Sequence, residues 1–158
     1  MGWTIIDIEK LREIDIFAQL SDRALEKIAA ITYTREYRRA TKIFSEGDEG
    51  RMMFLIAKGE VRISKSIPGM GEEALAILKE GNYFGEMALL DDREARSADA
   101  WAGKSCTLNV IDKADLRKLM ESDKDLGMEL LWSFVGTLSE RLRSANSKVT
   151  FLAAAGKF

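Results

Sequence analysis

Histidine is absent from this chain of 158 residues, and it has one cysteine, Cys106, and one proline, Pro68. Imidazole is the commonest general base and metal ligand at neutral pH, so hydrolase triads, zinc sites and histidine-ligated haem all lack their usual parts. A lone cysteine permits no intrachain disulfide, cysteine-bound iron–sulfur cluster or zinc knuckle, in keeping with a reducing cytoplasm. Long apolar runs are missing too. No stretch approaches the roughly 18 apolar residues of a membrane span, and Met1 to Lys10 has neither the basic start nor the apolar core of a signal peptide. Charge of one sign is not in excess: 24 Lys and Arg face 26 Asp and Glu, for a net charge of −2. A protein whose main work is wrapping nucleic acid needs a basic excess. These absences lead us to expect a cytoplasmic protein with no bound metal, no membrane segment and no nucleic-acid partner. No catalytic activity is expected either, because neighbouring loop carboxylates such as Asp91 and Asp92, without a metal, make a poor acid–base pair.

What is present is a composition of 46% hydrophobic and 32% charged residues, ordinary for one soluble domain spanning 1–158. Periodicity divides that domain into three blocks. Through residues 1–31, apolar residues recur at helical spacing (Ile5, Ile8, Leu11, then Leu25, Ile28, Ile31), and Ser21 is placed to cap the second of two short helices. Through residues 32–112 the period becomes two: Val61 and Ile63 alternate with Arg62 and Ser64, Leu75 and Ile77 follow, and Leu108 and Val110 flank Asn109. Turn signals at Glu46-Gly47-Asp48, Gly59, Pro68-Gly69-Met70-Gly71 and Gly81-Asn82 separate these runs, which read as half-buried antiparallel strands of a closed or rolled sheet. Residues 113–158 are helical again. There Met128, Val135, Leu142 and Val149 recur every seven residues, as do Leu131, Leu138, Ala145 and Leu152 three places later. β-Branched residues at a with mostly Leu at d favour a parallel two-stranded coiled coil, so this helix predicts a homodimer; packing against the chain's own sheet is the other use of such a face.

The segment 83–98, Tyr-Phe-Gly-Glu-Met-Ala-Leu-Leu-Asp-Asp-Arg-Glu-Ala-Arg-Ser-Ala, carries the chemistry. Gly85 permits a tight turn, and the residues after it suit a short helix whose first backbone N–H groups can receive an anion. Arg96 presents a planar fork to two phosphate oxygens, with the Ser97 hydroxyl and the Ala98 N–H as further donors. Glu86 is an acceptor and suits a ligand hydroxyl such as that of a ribose. One carboxylate for sugar and one guanidinium for phosphate describe a nucleotide monoanion; a simpler reading is a Glu86–Arg96 ion pair that pins a loop.

Phe84-Gly85-Glu86-Met87-Ala88-Leu89-Leu90 with Arg96-Ser97-Ala98 resembles the phosphate-binding cassette of cyclic nucleotide-binding domains, in particular the catabolite activator-like group. The resemblance covers nearly the whole chain. It implies an α+β fold: an antiparallel β-roll (a double-stranded β-helix of jelly-roll type) flanked by N-terminal helices and a long C-terminal dimerisation helix. It implies a regulatory module without resident cofactor, whose ligand is cAMP in preference to cGMP. Ligand contacts would come from Gly85, Glu86, Met87, Arg96, Ser97 and Ala98, and base contacts from the long helix, where Asn146 offers both a donor and an acceptor from its own or a partner subunit. The sequence departs from the family at Ala145, which offers no hydrogen bond, and at Asp99, a carboxylate beside the cassette that we expect to point outward. No helix-turn-helix module follows the long helix up to Phe158, so the expected output is a change in dimer geometry or in a protein-partner surface. An interaction protein that keeps the roll and leaves the pocket empty is the alternative. Elsewhere, Trp101 and Cys106 read as core, and Arg35, Arg38, Arg39 and Lys42 as a solvated face.

Overall fold

The computed structural model describes residues 6–86 and 95–156. Two short helices come first, α1 (Ile8–Arg12) and α2 (Asp22–Ala30), and Ser21 caps α2 by accepting from the Ala24 N–H at 3.2 Å. The turn between them buries Ile14, Ile16, Phe17 and Leu20, a contribution that periodicity could not announce because the segment is not helical. Strands then follow: β1 (Thr32–Tyr37), β2 (Lys42–Phe44), β3 (Met52–Lys58), β4 (Glu60–Ile67), β5 (Gly71–Lys79), β6 (Tyr83–Phe84), β7 (Asp99–Ala102) and β8 (Cys106–Asp112). They form two four-stranded antiparallel sheets, ordered β1-β8-β3-β6 and β2-β7-β4-β5. Two helices close the chain, α3 (Lys113–Ser122) and α4 (Lys124–Ala154). The changes of period at Thr32 and Lys113 thus coincide with element boundaries.

The first sheet is covered on both faces. Phe54, Ile56, Leu108 and Val110 point into the roll with Val61, Ala100 and Ala102. Met53, Leu55 and Ile111 point the other way, onto α2 and the start of α4 through Leu25, Ile28, Leu126, Leu130 and Phe134. Burial on both sides explains why β3 reads Met-Met-Phe-Leu-Ile-Ala without alternation. It also corrects the half-buried reading of β8: Asn109 is buried, and its Oδ1 accepts from the Thr34 hydroxyl at 3.1 Å across the β1–β8 pair. In the second sheet the correction runs the other way. Strand β5 lies at the edge, so Leu75 and Ile77 are exposed, and the β4–β5 register shifts between Ile63 and Ser64. Cys106 is buried, and the surroundings that exclude water push its thiol pKa up.

Trp101 is not core. It lies half-buried beside Lys42 on β2 and Arg62 on β4, with the Lys42 ammonium 4.8 Å from its ring centre and its indole N–H without a hydrogen-bond partner. Its neighbours Ala100 and Ala102 take the inward positions. Arg35, Arg38, Arg39 and Lys42 are exposed, as a solvated face requires.

Helix α4 is anchored at its start by Asp123, whose carboxylate accepts from the Leu126 N–H and pairs with Lys27 at 2.6 Å and Arg23 at 2.7 Å, both on α2. Hydrogen bonds from Lys27 and Arg23 and from that N–H hold the Asp123 carboxyl well below the usual carboxylate range. A depressed folded-state pKa means that the stabilisation is complete above the unfolded value and is lost as the pH falls through the folded one. The melting temperature of the wild type should therefore fall more steeply than that of Asp123→Asn between about pH 4 and pH 2. Parallel acid melting curves for the two proteins would refute this clamp.

Candidate nucleotide-binding site

Chain reversal at the end of β6 brings the two halves of the segment 83–98 onto the mouth of the roll. Gly85 has φ +77°, and a Cβ there would lie 2.9 Å from the Met52 carbonyl oxygen and 2.8 Å from Arg96 Nη1, so glycine is required on both counts. The backbone of Arg96 is fixed against the turn before β3: its N–H donates to the Asp48 carbonyl at 2.7 Å, and its carbonyl accepts from the Gly47 N–H at 2.8 Å. The side chain then passes over Gly50, where a Cβ would meet Nε at 2.7 Å and both Cδ and Cζ at 2.9 Å. Gly50 and Gly85 together leave a slot one guanidinium wide.

In that slot Arg96 is 7% exposed. Nη2 donates to the Met52 carbonyl at 2.7 Å and Nη1 to the Gly85 carbonyl at 3.4 Å. The guanidinium carbon lies 4.3 Å from the ring centre of Phe44, which borders an aromatic cluster in which Phe54 and Phe84 stack at 5.0 Å. Nε has no partner. Burial lowers the pKa of Arg96 from its ordinary value, while Asp48 and Glu86 act in the opposite sense from a distance. Among the described residues no carboxylate pairs with it, so the loop-pinning Glu86–Arg96 ion pair is not formed. Among the described residues, then, this buried cation has a free N–H and no anionic partner.

Glu86 instead meets α4. Arg141 Nη1 donates to Glu86 Oε1, and Arg141 Nη2 donates to the Tyr83 hydroxyl while its guanidinium carbon lies 5.5 Å from the Tyr83 ring centre. Burial, with Asp15 alongside, pushes the Tyr83 hydroxyl up. Burial also works against the Arg141 cation, but Glu86 and Tyr83 outweigh it and its pKa is raised. The carboxylate is 15% exposed, and among the described residues its second oxygen accepts no hydrogen bond. Reasoning on the sequence alone missed Arg141, Tyr83, Gly50 and Phe44. Gly50 had a faint signal, as the end of a glycine-bearing acidic turn; Arg141 had none.

Of the remaining candidates, Ala98 is buried and Ser97 exposed, both directly after Arg96. Met87 lies outside the described residues, as do Asp91, Asp92 and Glu94. Asp99 accepts from the Glu46 N–H at 2.6 Å and lies 3.7 Å from Lys42, so it serves a turn; the carboxylates that influence Arg96 are Asp48 and Glu86. Asn146 is exposed. It follows Arg141 by five residues, about 7.5 Å along the helix and about 140° around it, so the two face different directions and the chain's own Asn146 is not brought to Glu86.

A roll with this slot at its mouth is the architecture of a ligand-binding regulatory domain, and comparison with known proteins places it. The cyclic nucleotide-binding domain family matches residues 34–123, and the chain belongs to that family. It is 35% identical over 107 residues to a cAMP-dependent protein kinase regulatory subunit of Mycosarcoma maydis, covering 66% of this chain and 20% of that protein. To the cGMP-dependent protein kinase 2 of Mus musculus it is 30% identical over 131 residues, covering 82% of this chain and 17% of the kinase. The crystal structure of the Thermus thermophilus catabolite activator protein superposes with a TM-score of 0.75 at 29% identity, covering 88% of this chain and 63% of that one. The chain thus spans a fifth or less of these two kinase proteins. Among the described residues, no helix is long and apolar enough to cross a membrane.

Proposed function

We propose that residues 1–158 act as one cyclic nucleotide sensor, binding cAMP in preference to cGMP and dimerising through α4. The observation that carries this reading is Arg96, a cation 7% exposed in a slot made by Gly50 and Gly85, with Nε unpaired. A cyclic phosphate is a monoanion of the size that such a fork binds through two oxygens. Ser97 and Ala98 would add donors, Gly85 and Met87 the backbone at the other side, and Glu86 would accept from the ribose 2′-hydroxyl with the oxygen that Arg141 does not engage.

Dimerisation is supported by the division of α4 into two faces. Leu126, Gly127, Leu130 and Phe134 are buried in the chain's own core, whereas the seven-residue seam is left out of it: Val135, Leu138 and Leu142 are 54%, 39% and 62% exposed. In a parallel coiled coil a g residue lies beside the e residue five places later on the partner. Arg141 is at g and Asn146 at e, so the partner's Asn146 would approach the Arg141–Glu86 pair from across the seam. That makes the amide a reader of the base in trans, where its donor and acceptor match the adenine edge. Ser97 is compatible with either purine. The remaining reading, a scaffold with an empty pocket, draws on Ala145, which offers the base nothing.

Calorimetric titration with cAMP and cGMP tests the proposal. Tighter binding of cAMP is expected, and a ligand at a hundred times its dissociation constant should add about 2.7 kcal/mol to stability. With no histidine in the chain, affinity should change less than about twofold between pH 6 and pH 8. No heat of binding and no thermal shift with either nucleotide at millimolar concentration would establish the scaffold reading instead.

A further inference from the structure

Among the described residues, the largest side chain that the fold leaves in solvent is Trp132, 70% exposed on α4. The seven-residue repeat puts it at e, directly after the d residue Leu131, on the flank of the seam. On the opposite flank, Gly127 occupies g, five residues earlier. By the same g-to-e geometry that pairs Arg141 with Asn146, Gly127 of one chain lies beside the partner's Trp132 in a parallel dimer.

At Gly127 the surface is hollow. A groove of about 440 Å³ runs between α3 and α4, and its apolar lining comes from Leu116, Met120, Gly127, Met128, Leu131 and Phe134. The groove depends on the glycine, because a Cβ at position 127 would meet the Met120 carbonyl oxygen at 3.0 Å and Met120 Cβ at 3.4 Å. Here two helices touch through backbone and leave the space above them open. Two methionines in the lining suit an aromatic guest, since thioethers adapt in shape and make favourable contacts with ring edges.

We propose that the groove is the receptor for Trp132 of a second copy of this chain, so that twofold symmetry fills two such grooves per dimer. The proposal rests on the dimer reading above and adds the anchor and its pocket to it. Three independent features point to this occupant: the register of the repeat, the exposure of an indole where that register needs a knob, and an apolar hollow of sufficient size where it needs a hole. Large aromatic side chains seated in pockets are the residues that dominate association energies.

Sedimentation equilibrium and tryptophan fluorescence separate the possibilities. In a Trp3→Phe, Trp101→Phe background, emission reports Trp132 alone. We expect blue-shifted emission, protected from acrylamide, at concentrations where the protein is dimeric, and red-shifted, quenchable emission on dilution to monomer. Trp132→Ala should raise the dimer dissociation constant by at least about 100-fold, with an unchanged circular dichroism spectrum because the side chain is 70% exposed and lies outside the chain's own core. A dimer whose Trp132 emission remains that of a solvated indole, or whose dissociation constant is the same in Trp132→Ala, would overturn the proposal while leaving the dimer itself intact. A wild type that is monomeric at every concentration would overturn both.

Discussion

Replacing Arg96 with alanine should abolish cyclic nucleotide binding, reducing affinity by at least about 100-fold in calorimetric titration. The phosphate would meet the guanidinium at the mouth of the slot bordered by Phe44, Phe54 and two glycines, where no other described cation donates. An anion placed there without its partner costs roughly 3 to 5 kcal/mol, which is two to three and a half powers of ten in the dissociation constant. Arg96→Lys restores charge without the fork, so it should recover part of the loss and no more. The shape of the slot gives a second route to the same result. Gly50→Ala puts a methyl group 2.7 Å from Nε, so the guanidinium must leave its place although its charge remains. If binding needs the guanidinium where the structure holds it, Gly50→Ala should weaken affinity while the free protein melts as a folded domain. Equal titrations for wild type and Arg96→Ala would overturn the assignment of the site.

Leu142→Glu should convert the dimer to a monomer. Leu142 is an a residue, 62% exposed and making no contribution to the chain's own core. In the dimer it would face its symmetry mate, so one substitution removes two buried leucines at about 2 to 5 kcal/mol each and sets two carboxylates against one another. The dissociation constant should rise by more than about 1000-fold, and sedimentation equilibrium at tens of micromolar should give the monomer mass. Circular dichroism should change little, because the helix keeps its anchor at Asp123 and its buried face at Leu126, Leu130 and Phe134. An unchanged dimer would show that the seven-residue seam has another use.

The parts of this fold that were legible in the sequence are those in which a single element reveals itself through its own period or cap. The change from helical to two-residue spacing at Thr32 and back at Lys113, and the hydroxyl of Ser21, need no knowledge of what packs where. The errors arise where a second element decides. Asn109 between Leu108 and Val110 looks like the wet side of a strand, but β1 supplies Thr34 as a partner and Asn109 itself is buried. Leu75 and Ile77 look half-buried but lie on an edge strand and stand exposed. Trp101 has the size of a core residue but stands between two alanines that already fill the inward positions. At the site, Gly85, Glu86 and Arg96 were legible because their spacing is local. Arg141 was not, since nothing ties it to a carboxylate 55 residues earlier except the path of α4 across the mouth of the roll.

If the chain dimerises as proposed, that path makes concentration a variable of the sensor. Arg141 belongs to the helix that carries the proposed dimer seam, and it holds the carboxylate that a ribose would engage. If ligand and second subunit both act on Glu86 in this way, any factor by which the nucleotide tightens the dimer must equal the factor by which dimerisation tightens the nucleotide. The response to a fixed amount of nucleotide would then depend on how much of the protein the cell makes, and a change in expression alone would retune it.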